Sequence, residues 1–333
     1  MVKIGNINLG EYPVILAPME EVTDPPFRSV CKEAGADLVY TEFISSEGLI
    51  RDIAKSMKKL YFGFHERPVG IQIFGNNADS MVEAAHIAEA ANPDLIDINW
   101  GCSVRKVSSK GSGAGILKDI PKMVSITSDV VKTTRLPVTV KTRLGLNEEN
   151  KNIVEIAERL QDVGIQAISI HGRTKDQLYK GDADWVTISK VKENPRIIIP
   201  VFGNGDINSA EKAAFIRKTY LVDGIMIGRA AIGYPWIFRE IKHYFQTGSL
   251  LPPPSVSERV KTCVQHLKGS VEWKGERTAV LEMRKHYSSY FRGLPDFKPF
   301  RVKLVTVEKF EEVVAICNQI DQKYGQINSL SLT

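Results

Sequence analysis

The sequence is poor in the features that mark secreted, zinc-stabilised and membrane-embedded proteins. Its four cysteines, Cys31, Cys102, Cys263 and Cys317, form no C-x-x-C pair, which argues against a zinc site and against a disulfide framework. No apolar run approaches the ~20 residues that a membrane helix needs, and the first ten residues lack the apolar core of a signal peptide. We therefore expect a metal-free protein of the reducing cytoplasm, with no membrane association.

The sequence also lacks extreme charge and an early nucleotide-binding fingerprint. The net charge of +5 over 333 residues permits a polyanionic partner without identifying one. The glycine-rich segment Gly111-Ser-Gly-Ala-Gly115 lies about twelve residues beyond the preceding apolar run, so a flexible loop that opens the next helix is the favoured interpretation. A doubly wound sheet that binds a dinucleotide should carry its fingerprint directly after an early strand.

Short, β-branched apolar runs recur eight times in the first 227 residues. Their starts lie 24 to 43 residues apart, and helix-like patterns such as 152–163 fill the intervals. This is the spacing of repeated βα units, so the sequence predicts a (β/α)8 TIM barrel, with a doubly wound sheet as the competing layout. The predicted strands are Val14–Ala17, Leu38–Thr41, Val69–Phe74, Leu95–Asn99, Val138–Lys141, Ala167–His171, Pro200–Gly203 and Gly224–Ile227.

The pattern changes after about residue 245. The segment Thr247-Gly-Ser-Leu-Leu-Pro-Pro-Pro-Ser255 has no helical or strand period and is typical of a linker. Beyond it, residues 256–273, 276–291 and 307–322 show helical periodicity without a strand-like run. We predict a barrel domain over 1–245, a linker over 246–255 and a small all-helical domain over 256–333.

The residues that end the predicted strands are unusually polar. The active site of a (β/α)8 barrel lies at the C-terminal ends of its strands. Buried polar groups need partners, so amides, cations and a histidine gathered at one rim indicate ligand contacts. These rim residues are Pro18, Met19, Gln72, Asn99, Cys102, Lys141, Arg143, His171, Arg173, Asn204, Gly205, Asp206, Gly228 and Arg229.

The last two predicted strands end in features of a phosphate site. Asn204-Gly205 and Gly228-Arg229 occupy the two loops in which many barrels bind phosphate, where glycine lets backbone amides approach an anion. Arg229 would add a full positive charge. Ordinary strand-end turns are the alternative for either pair alone, but together the pairs favour a phosphorylated cofactor.

Lys141 and His171 end two neighbouring predicted strands. A purely structural lysine there would have to snorkel or find a carboxylate. If the ligand is a flavin mononucleotide, a cation beside its pyrimidine edge stabilises the negative charge that appears on reduction. His171 could assist at the same edge or be hydrogen-bonded within the barrel wall.

Cys102 differs from the other three cysteines, which lie in helical patterns and are typical of small core residues. It follows Asn99 and Gly101 at a strand end, a position that favours a functional role over core packing. An unperturbed thiol has a pKa near 8.5, so at neutral pH it can donate a proton, or act as a nucleophile if a cation lowers the pKa. Both chemical roles stay open from the residues alone.

Several segments match one enzyme family in order and spacing. They are Ala17–Arg28, Asp97–Cys102, Val138–Gly145, His171–Trp185, Phe202–Ile207, Ile225–Ala230, Pro235–Phe238, Met283–His286 and Arg292–Pro295. In these segments the sequence resembles the tRNA-dihydrouridine synthases, flavin enzymes that reduce uridine in RNA, and among them most closely the bacterial B-type. The resemblance covers nearly the whole chain.

The resemblance implies a reaction and a set of residues. Reduced flavin mononucleotide (FMN) would deliver hydride to C6 of uracil, Cys102 would protonate C5, and NADPH or NADH would reload the flavin. Asn99, Arg143 and Arg173 would contact the substrate. The partner would be tRNA, and we expect the protein to act as a monomer. The implied cofactor residues are Pro18, Met19, Glu20, Gln72, Lys141, His171, Asn204, Gly205, Asp206, Gly228 and Arg229.

The predicted helical domain is basic. Residues 268–303 hold nine Lys or Arg against four Asp or Glu, an excess that equals the net charge of the whole protein. This favours an RNA clamp that turns out the target base, although a solvated basic face is the alternative. Tyr287, Tyr290, Phe291, Phe297 and Phe300 could stack on bases, but their helical spacing is more typical of core. The candidate phosphate contacts are Lys274, Arg277, Arg284, Lys285, Arg292 and Lys298.

Two positions depart from the family pattern. Glu21 stands where the family usually has glycine, which restricts the backbone near the flavin, and Ser103 stands where a proline usually follows the cysteine. A barrel that acts on a small pyrimidine or another activated alkene, and a flavin- or RNA-binding relative without catalysis, remain as alternatives. The target uridine, and the choice between tRNA and ribosomal RNA, stay open.

Overall fold

Eight parallel strands form the wall of a barrel in the computed structural model, which describes residues 1–326. A small antiparallel hairpin of β1 (Lys3–Ile4) and β2 (Ile7–Asn8) precedes the barrel, and β5 (Ile44–Ser45) adds a short edge beside the third wall strand. The eight wall strands are β3 (Val14–Leu16), β4 (Val39–Tyr40), β6 (Val69–Phe74), β7 (Leu95–Trp100), β8 (Val138–Arg143), β9 (Ala167–His171), β10 (Val201–Asn204) and β11 (Gly224–Ile227).

The strand order closes the sheet on itself. Along the wall the order is β3-β11-β10-β9-β8-β7-β6-β4, and each pair in it is parallel. The two short end strands meet through Leu16 N, which donates to Leu38 O at 2.9 Å, and Asp37 N, which donates to Val14 O at 3.0 Å. Each predicted strand coincides with one wall strand, so the predicted (β/α)8 barrel is confirmed.

Helices cover the outside of the barrel, and the longer ones each present one apolar stripe to it. In α7, for example, Ile153, Ile156, Ala157 and Leu160 are fully buried at helical spacing; burying each large aliphatic side chain contributes roughly 1.5–3 kcal/mol. These helices are α1 (Pro25–Glu33), α2 (Ser46–Ile50), α3 (Ala54–Lys58), α4 (Ala78–Ala90), α5 (Arg105–Ser108), α6 (Ile120–Thr133), α7 (Ile153–Asp162), α8 (Trp185–Glu193), α9 (Ala210–Tyr220) and α10 (Ile237–Thr247).

Within the part of the chain that the structure describes, four helices follow the barrel domain. The helix α10 runs two residues into the predicted linker and ends at Gly248, whose φ of 71° is the left-handed cap that glycine favours. The following helices are α11 (Val256–Lys274), α12 (Glu276–Tyr290), α13 (Lys298–Thr306) and α14 (Phe310–Tyr324). The sequence did not predict α13, which buries only Leu304 and so shows no apolar stripe. Residues 327–333 of the predicted helical domain lie outside the described residues.

The helical tail, residues 256–326, has a core of its own and packs on the barrel through α1 and α11. Phe27 of α1 lies 5.5 Å from the His266 ring and 5.3 Å from the His286 ring. The aromatic residues Tyr287, Tyr290 and Phe291 are buried in the tail, with Phe297 and Phe300 half-buried beside them, which confirms the core interpretation. Cys31, Cys263 and Cys317 are likewise buried core residues.

Across residues 1–326, helix length and hydropathy nowhere reach what a membrane span requires. In the same range, His, Cys, Asp and Glu side chains form no group of three or more that could hold a metal ion.

Candidate active site

A cleft of about 790 Å³ opens at the C-terminal ends of the barrel strands. It brings together the predicted catalytic residue, Cys102, and all the predicted cofactor residues except Gln72. Of the predicted substrate residues on the barrel, Asn99 and Arg143 line it and Arg173 does not. The predicted residues around the cleft are Pro18, Met19, Glu20, Asn99, Cys102, Lys141, Arg143, His171, Asn204, Gly205, Asp206, Gly228 and Arg229.

Asn99 shapes the loop that carries Cys102. Its Oδ1 accepts hydrogen bonds from Gly101 N at 2.9 Å and Cys102 N at 2.8 Å. Its Nδ2 donates to Gln72 Oε1 at 2.9 Å, so both the oxygen and the nitrogen of the amide bond within the protein. The side chain is 5% exposed. Asn99 therefore turns the chain sharply after β7 and fixes where the cysteine enters the cleft.

A buried carboxylate lies beneath this turn. Gln72 Nε2 donates to Asp97 Oδ2, and Thr139 Oγ1 donates to Asp97 Oδ1, both at 2.5 Å. Burial raises the pKa of Asp97 to about 6, against the lowering effect of these two bonds and of Lys141. Gln72 is fully buried in this network rather than on the cleft surface. Its predicted contact with a cofactor stays a prediction, and its contacts here support the Asn99 turn.

The Cys102 thiol is protonated at neutral pH. Burial raises the pKa of Cys102, which outweighs the lowering effects of Val104 N and of the Arg143 charge. A buried 3-10 turn, residues 113–118, packs against the loop that carries Cys102. The sequence had suggested a flexible loop in this segment. A Cβ on Gly113 would lie 2.7 Å from Cys102 O, so only glycine allows this close approach. A thiol with a raised pKa suits a proton donor better than a thiolate nucleophile, and the role of Cys102 stays a prediction.

A lysine and a histidine face the cleft from β8 and β9. Lys141 Nζ donates to Asn204 Oδ1 at 3.2 Å, and Asn204 Nδ2 donates to Met226 O at 2.7 Å. Burial, followed by the charge of Arg143, lowers the pKa of Lys141 to about 8. Burial and the neighbouring cations, Lys141 foremost, hold the pKa of His171 well below its usual value. His171 is therefore a neutral imidazole beside a cationic lysine.

The two arginines predicted to contact substrate both bind backbone carbonyls, and their predicted substrate contacts stay predictions. Arg143 donates to Gly101 O at 2.8 Å, to Thr174 O at 3.0 Å and to Leu178 O at 2.9 Å. It thereby joins the cysteine loop to the loop after β9. Burial lowers the pKa of Arg143 to about 10, which leaves it charged at neutral pH. Its predicted substrate contact stays a prediction.

Arg173 is 2% exposed and is held within its own loop. It donates to Lys180 O at 3.2 Å and to Gly181 O, and it pairs with Asp206 Oδ2 at 2.7 Å. The structure gives it a scaffolding position behind the cleft wall.

Asp206 joins two cations at the end of β10. It pairs with Arg173 on one oxygen and with Arg229 Nη2 at 3.0 Å on the other. Burial acts to raise the pKa of Asp206, but the bonds from Arg173 and Ala183 N and the two arginine charges outweigh it and lower the pKa. Arg229 stays 57% exposed in the cleft. It is the cation most available to an incoming anion.

Sequence reasoning missed two aromatic residues that line the cleft, Phe43 and Tyr179. Tyr179 is 61% exposed, and its ring lies 5.0 Å from the Arg229 guanidinium and 5.8 Å from that of Arg143. Tyr179 lies in the loop after β9. An aromatic residue among polar neighbours after a strand could have identified it as a cleft residue from the sequence. Asp97 was also missed, although a lone carboxylate inside an apolar strand requires buried donors.

The predicted basic residues of the tail fall into two groups. Arg277, Arg292 and Lys298 are exposed; Arg277 approaches a carboxylate, that of Glu308, only at 3.9 Å. Their side chains are open to an anionic partner.

The other three are engaged within the protein. Lys274 Nζ pairs with Asp24 at 2.5 Å and with Glu282 at 2.6 Å. Arg284 donates to Val307 O at 3.3 Å, and Lys285 donates to Glu21 O. Their predicted phosphate contacts stay predictions, but in this structure each is bound elsewhere.

The strand-end cleft, with its positioned thiol and several cations, defines this protein as a (β/α)8-barrel enzyme with a helical tail. Its sequence matches the family "Dihydrouridine synthase (Dus)" over residues 15–325, and the chain belongs to that family. Among its relatives, the "tRNA-dihydrouridine synthase B" of Pseudomonas putida is 40% identical over 91% of this chain and 90% of its own. The "Probable tRNA-dihydrouridine synthase" of Rickettsia conorii is 38% identical over 98% of this chain and 97% of its own.

Solved structures share the fold at low identity. A histamine dehydrogenase from Rhizobium sp. 4-9 superimposes with a TM-score of 0.57 at 13% identity, covering 79% of this chain and 50% of its own. A morphinone reductase variant gives 0.54 at 12% identity, covering 77% of this chain and 92% of its own. At these identities the similarity shows a common barrel fold.

Proposed function

We propose that this protein reduces uridines in tRNA to 5,6-dihydrouridine, using FMN, with Cys102 as the proton donor. The observation that carries the proposal is the thiol on its Asn99-anchored turn, buried enough to stay protonated and open to a cleft lined with cations. Family membership and the names of the relatives support the same reaction. We propose FMN as the bound flavin and NADPH or NADH as the reductant.

The residues of the cleft fit FMN. A volume of about 790 Å³ lies within the range of cofactor sites. Gly205 and Gly228 leave the strand ends without side chains, and a Cβ on Gly205 would come within 2.6 Å of Ala183 Cβ. Lys141 and Arg229 supply positive charge for an anionic ligand. The residues that would hold it are Pro18, Met19, Glu20, Lys141, His171, Asn204, Gly205, Asp206, Gly228 and Arg229, with Gln72 behind them.

Reduced FMN would supply the hydride for C6 of uracil, and the nicotinamide would return the electrons. The protein supplies the proton. As hydride adds to C6, negative charge spreads from C5 to the C4 carbonyl, and the S–H of Cys102 gives its proton to C5. The thiolate left behind takes a proton from water at the cleft mouth. The ammonium of Lys141 would stabilise the negative charge of the reduced flavin. Neutral His171 would contribute a hydrogen bond without charge.

The division of labour along the chain is part of the proposal. Residues 1–245 would form the catalytic domain, 246–255 the linker and 256–333 the RNA-binding domain of a monomeric, cytoplasmic enzyme. Of the predicted phosphate contacts, Arg277, Arg292 and Lys298 are exposed, which supports their binding to phosphates. The clamp would hold the RNA while the target base is turned out into the cleft.

Dihydrouridine in tRNA from cells that lack the gene tests the reaction. Nucleoside mass spectrometry should show loss of dihydrouridine, restored by the wild-type gene and not by Cys102→Ala. Restoration by Cys102→Ala would remove the proton-donor assignment. Unchanged tRNA in the absence of a paralogue would redirect the search to ribosomal RNA and then to a small pyrimidine.

The RNA-binding role of the tail predicts a salt effect. The triple variant Arg277→Ala, Arg292→Ala, Lys298→Ala should bind tRNA more weakly and lower the log–log salt slope by roughly 2, because each phosphate contact contributes about 0.7–0.9. Filter binding across salt concentrations measures this. A matched triple variant that removes three exposed lysines of the barrel helices, Lys122, Lys132 and Lys190, should leave the slope unchanged. Equal slopes in both triple variants would contradict the clamp.

A further inference from the structure

The loop between β3 and α1, residues 17–24, joins the cofactor cleft to the helical tail. On one side it lines the cleft; on the other it is bound by two lysines of the tail. Lys285 of α12 donates to Glu21 O, and Lys274 of α11 pairs with Asp24 Oδ2 at 2.5 Å. The loop residues that line the cleft are Ala17, Pro18, Met19, Glu20 and Val22.

The peptide groups of Glu21 are held from both sides. Its φ of 58° lies in the left-handed region, which a residue with a side chain adopts only where its surroundings hold it. Glu21 N donates to Glu42 Oε1 at 2.7 Å, a partner on the barrel. Glu21 O accepts from Lys285, a partner on the tail. The conformation of this residue thus depends on both parts of the molecule.

The contacts continue from Glu21 into the cleft. Glu42 lies 3.6 Å from Lys59, and Lys59 Nζ binds Glu20 Oε1 at 2.6 Å. Lys59 is largely buried, and Glu20 lines the cleft. A shift of the Glu21 peptide would therefore move the Glu20 carboxylate at the cleft wall.

We propose that Lys285 is a positioning residue: by binding the Glu21 carbonyl it holds the 17–24 loop in the shape that receives the cofactor. The tail thereby sets the geometry of the cofactor site in addition to binding RNA. This inference rests on the proposed function, because FMN is its ligand. It replaces the phosphate contact that the sequence predicted for Lys285.

The two roles of Lys285 give opposite results in two binding measurements. A phosphate contact would contribute to tRNA affinity and its salt slope and would leave FMN affinity unchanged. A positioning residue would contribute to FMN affinity in the absence of RNA and would leave the salt slope unchanged. Both are measured on the full chain, FMN by fluorescence titration of flavin-free protein and tRNA by filter binding.

Lys285→Met keeps most of the side-chain length and removes the ammonium. We expect its FMN affinity to fall about tenfold, the size of one hydrogen bond to a charged group, and its tRNA salt slope to match wild type. Lys285→Arg keeps a cationic donor and should recover most of the FMN affinity. Lys268→Met is the matched control: Lys268 is exposed on α11, so its loss should leave FMN affinity unchanged.

Unchanged FMN affinity in Lys285→Met, with a salt slope lowered by about 1, would overturn the inference and restore the phosphate contact. Equal loss of FMN affinity in Lys268→Met would also overturn it, because the effect would then follow net charge. A melting curve separates misfolding from displacement of the loop: Lys285→Met should unfold within a few degrees of wild type. Failure of the proposed function itself would appear differently, as absence of FMN binding by the wild-type protein.

Discussion

At the residue scale, the position of Cys102 depends on hydrogen bonds that join two neighbouring strands. Cys102 could be singled out because it follows a strand end, where barrel chemistry lies. The support from Gln72 and Asp97 depends on two neighbouring strands being paired, with Gln72 opposite Asp97 in the β6–β7 register. That pairing brings residues 25 positions apart into a hydrogen bond. No local pattern in the sequence encodes it.

The raised pKa of Cys102 predicts the pH dependence of its alkylation. Only the thiolate reacts with iodoacetamide, and burial raises the pKa above that of an ordinary thiol. The alkylation rate should therefore be low at pH 7 and still rise at about pH 9, where a free cysteine with a pKa near 8.5 approaches its plateau. Peptide mass spectrometry follows the modification of Cys102.

The Cys102→Ala variant supplies the background, since the other three cysteines are buried. A plateau below about pH 8 would mean that Cys102 has a lowered pKa, and it would return the thiolate nucleophile to consideration.

At the element scale, the periodic parts of the chain were predictable and the close contacts were not. Buried β-branched runs identified all eight wall strands, whereas β1, β2 and β5 each contain at most one buried residue and so show no apolar run. In the tail, charge alone could not separate free cations from bound ones. Lys274 is neutralised by Asp24 from the distant barrel, and that pairing is visible only in three dimensions.

The glycine-rich segment after β7 contains two glycines with the same left-handed backbone conformation but different surroundings. Gly111 and Gly113 have φ values of 77° and 53°, so alanine strains the backbone at either position. A Cβ on Gly113 would lie 2.7 Å from Cys102 O, whereas a Cβ on Gly111 would meet only Asn76 Nδ2 at 3.4 Å. Gly113→Ala should therefore displace the Cys102 loop and lower the rate of dihydrouridine formation at least about tenfold, the cost of a small misplacement in an active site.

The Gly111→Ala variant carries the same backbone strain without the clash. It should lose stability similarly but keep a rate within about threefold of wild type. Single-turnover reduction of tRNA by pre-reduced enzyme measures both variants. Equal rate losses would mean that backbone strain, and not displacement of the thiol, controls the reaction.

At the scale of the whole molecule, the barrel and the tail depend on each other. Trp236, which follows the last barrel strand, packs into the tail core and donates to Glu258 at 2.9 Å. The Phe27 ring of the barrel packs against the rings of two tail histidines, His266 and His286. Deleting residues 256–333 would expose these apolar surfaces, so loss of activity on deletion would not identify RNA binding. Point substitutions of exposed cations test the tail without opening the interface.

The two interface histidines predict that acid separates or unfolds the molecule. Burial lowers the pKa of His266 to about 4 and holds that of His286 well below its usual value, whereas both titrate near 6.5 when unfolded. As the pH falls below about 6.5, each of these histidines takes up a proton in the unfolded chain but not in the folded protein, and this difference favours unfolding. The contribution of these histidines to the free energy of unfolding is therefore complete above about pH 6.5. It falls as the pH drops toward 4, by about 3 kcal/mol for His266 alone.

His286→Phe isolates this effect, because His286 Nδ1 is buried with no hydrogen-bond partner among residues 1–326 and its ring packs 5.3 Å from that of Phe27. The variant replaces a ring by a ring and removes one proton-uptake site. Its melting temperature should fall less than that of wild type between pH 7 and pH 4.5, by roughly 5 °C. His65→Phe removes an exposed histidine and should follow the wild-type curve. If His286→Phe loses as much as wild type on acidification, carboxylates elsewhere set the acid limit and the histidine interface does not.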